Sequence, residues 1–136
     1  MSETGRIYIT HCCAKKDDSL KGTGRSVRPD QLYTAIPTRR FMDRCKTRNV
    51  KWAIFSDLYG VWFPDVAHPW YEKDPNLVTE LQFQNLLNDF NRKLGSYAQI
   101  RFYHNPGRFH RLYRRLLDET SLRERIVLFR RIAEIV

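Results

Sequence analysis

Apolar positions along the chain alternate between two spacings. Four short runs, Arg6 to Thr10, Val50 to Phe55, Ala98 to Tyr103 and Ile126 to Phe129, are dense in β-branched and aromatic residues and have strand length. The segments between them repeat at helical spacing. A helix is predicted from Pro37, a residue tolerated at the first helical position, to about Arg48; it buries Phe41, Met42 and Cys45 and is ended by Asn49. A second helix is predicted to start where Asn76 can cap free backbone donors, with Glu80 in the opening turns, where the helix dipole favours an anion. Phe83, Leu86, Leu87, Phe90 and Leu94 form its inner face, and Gly95 stops it. A third, after His104, buries Phe109, Leu112, Tyr113, Leu116 and Leu117 and carries Arg111, Arg114 and Arg115 on the opposite face. Ile132 to Val136 either continues the last strand or closes as a short helical turn.

Two stretches lack either period. Lys16 to Pro29, with Asp17, Asp18, Ser19, Gly22 and Gly24, reads as a flap or mobile connection, and Asp30 to Tyr33 as a short turn. The stretch from Gly60 to Asn76 reads as irregular and rich in aromatic residues and proline. Strands separated by helices of this length imply parallel pairing through right-handed crossovers. The expected fold is therefore a Rossmann-like α/β domain: a three-layer α/β/α sandwich on a mostly parallel sheet of about four strands. At 136 residues and 42% hydrophobic content the chain has material for one core, so a single domain over 1–136 is expected. No apolar run approaches the roughly 20 residues that span a bilayer, so no membrane partner is expected. Met1 to Gly5 lack the features of a secretory signal, and three cysteines, two of them adjacent, make a poor disulfide framework. Both point to a cytoplasmic setting.

In parallel strands the carboxyl ends share one edge of the sheet, the edge where open α/β folds hold ligands. Three predicted strands run at that edge into polar turns. The first is His11-Cys12-Cys13-Ala14-Lys15-Lys16. Lys15 or Lys16 can hold a phosphate or carboxylate or serve as an amine nucleophile, and Cys12 or Cys13 can attack as a thiolate. The plainer reading of the cysteines, a small core residue and a bystander, is preferred; for one lysine, anion binding is preferred. A metal site is not expected, because adjacent side chains on extended backbone point to opposite faces. The second turn, Ser56-Asp57-Leu58-Tyr59-Gly60, offers a hydroxyl, a carboxylate, a phenol and a glycine that permits positive φ; as a site it works with Trp62, Trp70, Tyr71 and Glu72, and otherwise it is a simple polar turn. The third is His104-Asn105-Pro106-Gly107, followed by Arg108: Asn105 and the first helical amides suit a phosphate or base edge, and His104 can exchange protons near neutral pH.

Charge changes the picture of the ligand. The net charge of +9 comes from seventeen arginines and seven lysines against 15 acidic residues, and nine of the arginines lie at or beyond Arg101. Guanidinium forks match phosphate oxygens in pairs and stack on flat rings, so RNA, DNA or a nucleotide is favoured over a merely solubilising role.

Those turns also carry a resemblance. The chain resembles an uncharacterised family of small α/β domains with a Cys-Ser/Cys-x-Lys-Lys turn, here Cys12 to Lys16, a Leu-Tyr pair, here Leu32-Tyr33, and a Ser-x-x-Tyr-Gly turn, here Ser56 to Gly60. More remotely it is similar to the Cys-Ser-x-Lys-Lys domain of archaeosine synthase and to the uracil-DNA glycosylase-like fold, with Cys13 in place of the usual Ser and no Gly-Gln-Asp type loop. The resemblance implies nucleobase chemistry. The expected function is thus an enzyme acting on a nucleobase or nucleotide by glycosidic cleavage or base transfer. Lys15, Lys16, Ser56, Asp57, Glu72 and His104 are its expected catalytic groups. His11, Cys12, Cys13, Tyr33, Tyr59, Gly60, Tyr71, Asn105, Gly107 and Arg108 are the expected ligand contacts, and no cofactor is expected. The alternative is a non-catalytic basic module that binds nucleic acid or a protein partner through the Arg face.

Overall fold

A computed structural model describes residues 5–104 and 109–136. In chain order the elements are β1 (Arg6–His11), β2 (Ser26–Val27), α1 (Pro29–Leu32), α2 (Ile36–Arg48), β3 (Trp52–Ser56), β4 (Gly60–Trp62), β5 (His68–Pro69), α3 (Glu80–Leu94), β6 (Gln99–Tyr103), α4 (Arg111–Glu119) and β7 (Ile126–Phe129). This is a mixed α/β fold. Its main sheet has the order β4-β3-β1-β6-β7, with β3, β1, β6 and β7 parallel and β4 antiparallel to β3. The sheet thus has five strands where about four were expected. The addition is β4, inside the stretch read as irregular, and three residues are too few to display a period of two. It forms because Gly60, at φ 77°, reverses the chain directly after β3, so that Ser56 pairs with Gly60 and Ile54 with Trp62. The rest of that stretch contributes β5, which pairs antiparallel with β2.

Helix ends follow local chemistry. Asn49 stops α2 in the left-handed region at φ 55°, its amide returning to the carbonyls of Cys45 and Lys46. α3 starts later than expected. Asn76 lies in a single tight turn, Pro75–Leu77, capped by Asp74, and the helix is capped instead by Thr79, whose side chain exchanges hydrogen bonds with Gln82. His110 caps α4, its Nδ1 accepting from the Leu112 amide at 3.0 Å.

Successive strand residues face opposite sides of the sheet. Phe41 of α2 meets Trp52 and Tyr103, whereas Phe55 meets Phe90 of α3 and Tyr113 of α4. The chain steps from β1 out to β3 and then crosses back to β6 on the other side of β1. The direction of the connections therefore reverses at β1, and the turns after β1 and β3 come to lie at the same carboxyl edge.

Candidate functional site

β1 is held one residue past its end, because the Cys12 amide donates to the Phe55 carbonyl at 2.8 Å. Cys12 is therefore drawn into the core, while Cys13 turns toward the surface. The chain beyond is zipped to the turn after α1: Lys16 bridges antiparallel to Tyr33, and the Thr34 amide donates to the Lys15 carbonyl at 3.1 Å. Lys15 and Lys16 are thereby presented at the carboxyl edge on fixed backbone. A cleft of about 530 Å³ opens there, lined by residues that include His11, Cys12, Cys13, Lys15, Lys16, Thr38, Asp57, Lys73, His110 and Tyr113.

Asp57 is only 5% exposed, and its Oδ1 has no hydrogen-bond partner among the described residues. Burial raises its pKa above the ordinary carboxylate value, and the neighbouring Cys12 thiol and the Lys16 and Lys73 ammonium groups pull in the opposite direction. His11 is 6% exposed and stacks on Tyr113 at 4.8 Å. Its Nδ1 lies 2.9 Å from the Cys12 carbonyl, which can only accept, so Nδ1 carries the proton and Nε2 presents a lone pair. That Nε2 is buried with no partner among the described residues. Burial holds the imidazole below its usual pKa, which keeps it neutral near pH 7. The cleft therefore combines an acid with a raised pKa, a neutral imidazole and surrounding ammonium groups.

The cysteines divide. Burial and the nearby Asp57 push the Cys12 thiol up to about 12, and it contacts the Tyr113 hydroxyl at 3.2 Å, so it stays protonated. Cys13 donates to the Lys15 carbonyl at 3.4 Å. Ser56 is engaged internally. Its Oγ accepts from the amides of Leu58 and Tyr59 and donates to the Tyr71 hydroxyl at 3.1 Å, which in turn lies 2.5 Å from the Tyr33 hydroxyl. Tyr33 and Tyr71 are buried, and the Lys16 ammonium sits 4.5 Å from the Tyr71 ring centre.

Other expected site residues lie apart from this cleft. His104 is half-buried against Phe109 at 4.2 Å, near enough to His11 to lower that imidazole's pKa further, but it does not line the cleft. Burial, then Arg130 and Arg114, lower its own pKa. Tyr59 stacks on His68 at 3.9 Å and donates to the Pro69 carbonyl. Glu72 is exposed and outside the lining. Gly60 serves the hairpin, since a Cβ there would lie 2.2 Å from Asp89 Oδ2, which holds the Val61 amide at 2.7 Å. Asn105, Gly107 and Arg108 lie outside the described residues. Among the described residues no group of three or more His, Cys, Asp or Glu is arranged to hold a metal.

Sequence reasoning missed Lys73, Thr38, His110 and Tyr113 as cleft residues. Tyr113 was read as core. The cue for His110 was its place just before a helical period, the cap position, which turns it toward the same edge. A larger hollow of about 660 Å³ lies at the opposite, amino edge, but its lining has no side-chain carboxylate, imidazole or thiol. Compared with family models, curated proteins and solved structures, the chain gives no significant match.

Proposed function

We propose that the carboxyl-edge cleft binds a nucleobase or nucleotide and cleaves or exchanges the base at its glycosidic carbon. The observation that carries this reading is Asp57: a carboxyl made a weak acid by burial, with an oxygen unpartnered among the described residues, in a cleft that also presents Lys15, Lys16 and Lys73. A carboxylic acid whose pKa is raised by burial can give its proton to a leaving base nitrogen as the C–N bond breaks and its electron pair departs with the base. Water then supplies the oxygen that takes the base's place on the sugar carbon, and its proton returns to Asp57 or to the lone pair of His11 Nε2. In base transfer an incoming base takes the part of the water. The lysines balance phosphate charge.

The same proposal includes a three-layer organisation, with α2 on one face of the sheet and α3 and α4 on the other, the relation to nucleobase-handling domains suggested by the Cys12 to Lys16 turn, and a cytoplasmic setting, to which the free thiols of Cys12, Cys13 and Cys45 are suited. Among the described residues no helix is long and apolar enough to cross a membrane.

Purified protein incubated with labelled nucleosides, nucleotides and modified tRNA is expected to release or exchange free base, and Asp57→Asn to lower turnover by about 100-fold or more. Absence of binding and turnover in every class, with the fold intact by circular dichroism, overturns the proposal. The exposed arginines of α4 and the C-terminal segment, including Arg111, Arg114, Arg130 and Arg131, favour a second reading as a nucleic-acid-binding module. Affinity for RNA or DNA that falls steeply with salt yet survives both Lys16→Ala and Asp57→Asn selects that module.

A further inference from the structure

Asp57 and Lys73 belong to two cavities. On one side lies the cleft of about 530 Å³ with Lys15 and Lys16; on the other is a compartment of about 240 Å³ bordered by Tyr59, Gln82, Asn85 and Asp89. The two have different chemistry. The first offers ammonium groups. In the second, Asp89 is occupied, one oxygen by the Val61 amide and the other by Arg92 and Lys93. The Gln82 carbonyl oxygen is likewise taken, by the Thr79 amide and the Lys73 ammonium, each at 3.0 Å. What the compartment presents to a guest is the Gln82 NH₂, the exposed amide of Asn85 and the side of Tyr59: neutral donors, one acceptor and a ring. Such a set reads the edge of a heterocycle, and the one ammonium in its lining, Lys73, is shared with the first cavity and already donates to Gln82.

We infer that the ligand is a nucleoside 5′-monophosphate laid across both cavities, phosphate against Lys15 and Lys16, base against Gln82 and Asn85, with the bond between base and sugar over Asp57. This rests on the proposed function and names its substrate class. Asp57 supplies an observation independent of the cavities, being nineteen-twentieths buried at their junction with Oδ1 unpartnered among the described residues. A ligand confined to either cavity reaches Asp57 with one end; a mononucleotide brings it the middle, where the scissile bond lies.

Calorimetric titration of the full chain with nucleoside 5′-monophosphates, the matching nucleosides, ribose 5-phosphate and a single-stranded oligonucleotide tests this. The monophosphate is expected to bind at least about tenfold more tightly than its nucleoside, the worth of one or two charge-assisted hydrogen bonds. The double variant Lys15→Ala/Lys16→Ala is expected to abolish that gain, weakening the monophosphate at least about tenfold more than the nucleoside. Asn85→Leu is expected to weaken nucleoside and monophosphate by the same factor, about tenfold, and leave ribose 5-phosphate unaffected. Lys15 and Asn85 are exposed, whereas Lys16 is half-buried over the Tyr71 ring, so circular dichroism of the double variant checks that its fold is intact. Nucleosides that bind as tightly as monophosphates, an Asn85→Leu loss shared by ribose 5-phosphate, or an oligonucleotide that outcompetes the monophosphate overturns the inference and leaves the proposed function standing. Failure of every nucleobase compound removes both.

Discussion

Asp57 shows how a single side chain ties stability to chemistry. Folding raises its pKa above the ordinary 3.8, so over the window between that value and its raised one the native chain binds more protons than the unfolded chain. Stability contributed by this group therefore falls as pH rises through that window. His11 acts at the other end of the acidic range. Its pKa is lowered by burial, so the unfolded chain takes up a proton below about 6.5 that the native chain resists, and stability falls as pH falls there. Asp57→Asn removes the first effect alone. Urea denaturation of parent and variant between about pH 4 and pH 7 is expected to show the variant gaining on the parent as pH rises; a constant difference would show that the Asp57 pKa is not raised. The candidacy of Asp57 was legible because a carboxylate directly after a strand-like run is conspicuous. Its burial was not, because the groups that crowd it, Cys12, Lys16 and Lys73, come from other turns. Ser56 was read as a catalytic group from the same stretch, and the Tyr71 hydroxyl that engages it comes from 15 residues away.

Elements show the same division between near and far. α2 and the four parallel strands were visible because their periods are carried by contiguous residues, and Asn49 marked a stop that needs only its own φ. β4 and the start of α3 were misread for opposite reasons. β4 is too short to show a period and depends on Asp89, which comes from α3. At the start of α3 two capping sets stand five residues apart, and Asp74 and Thr79 divide the work that Asn76 was expected to do. Gly60→Ala is expected to cost about 1–3 kcal/mol, from the left-handed backbone and the displaced Asp89 side chain, and to speed hydrogen exchange at the Val61 amide. A denaturation midpoint within error of the parent would show that the hairpin relaxes freely. Thr79→Ala is expected to cost about 1 kcal/mol by the same measurement. Asn76→Ala, which removes only an exposed contact with His110 at 2.8 Å, is expected to cost less than half of that.

Across the whole molecule the last residues fasten the sheet to α2. Ile135 is fully buried, and the Arg44 guanidinium donates to the carbonyls of Ile135 at 2.9 Å and Ala133 at 3.3 Å. Ile135→Ala is expected to lower unfolding free energy by about 2–4 kcal/mol, read from urea denaturation; a loss under about 0.5 kcal/mol would mean that the tail does not complete the core. Order along the chain was enough to foresee strands, helices, parallel pairing and the two polar turns after β1 and β3 at a common edge, because periodicity, crossover handedness and turn chemistry depend on neighbouring residues and chain connectivity. Three-dimensional packing alone chose which of those polar groups share a cleft. It sank Ser56 and Cys12 into internal contacts, stacked Tyr59 on His68, and left Asp57 and His11 each with an atom unpartnered among the described residues. Burial and proton affinity arise from atoms brought together across the sheet, and one-dimensional order carries no record of those distances.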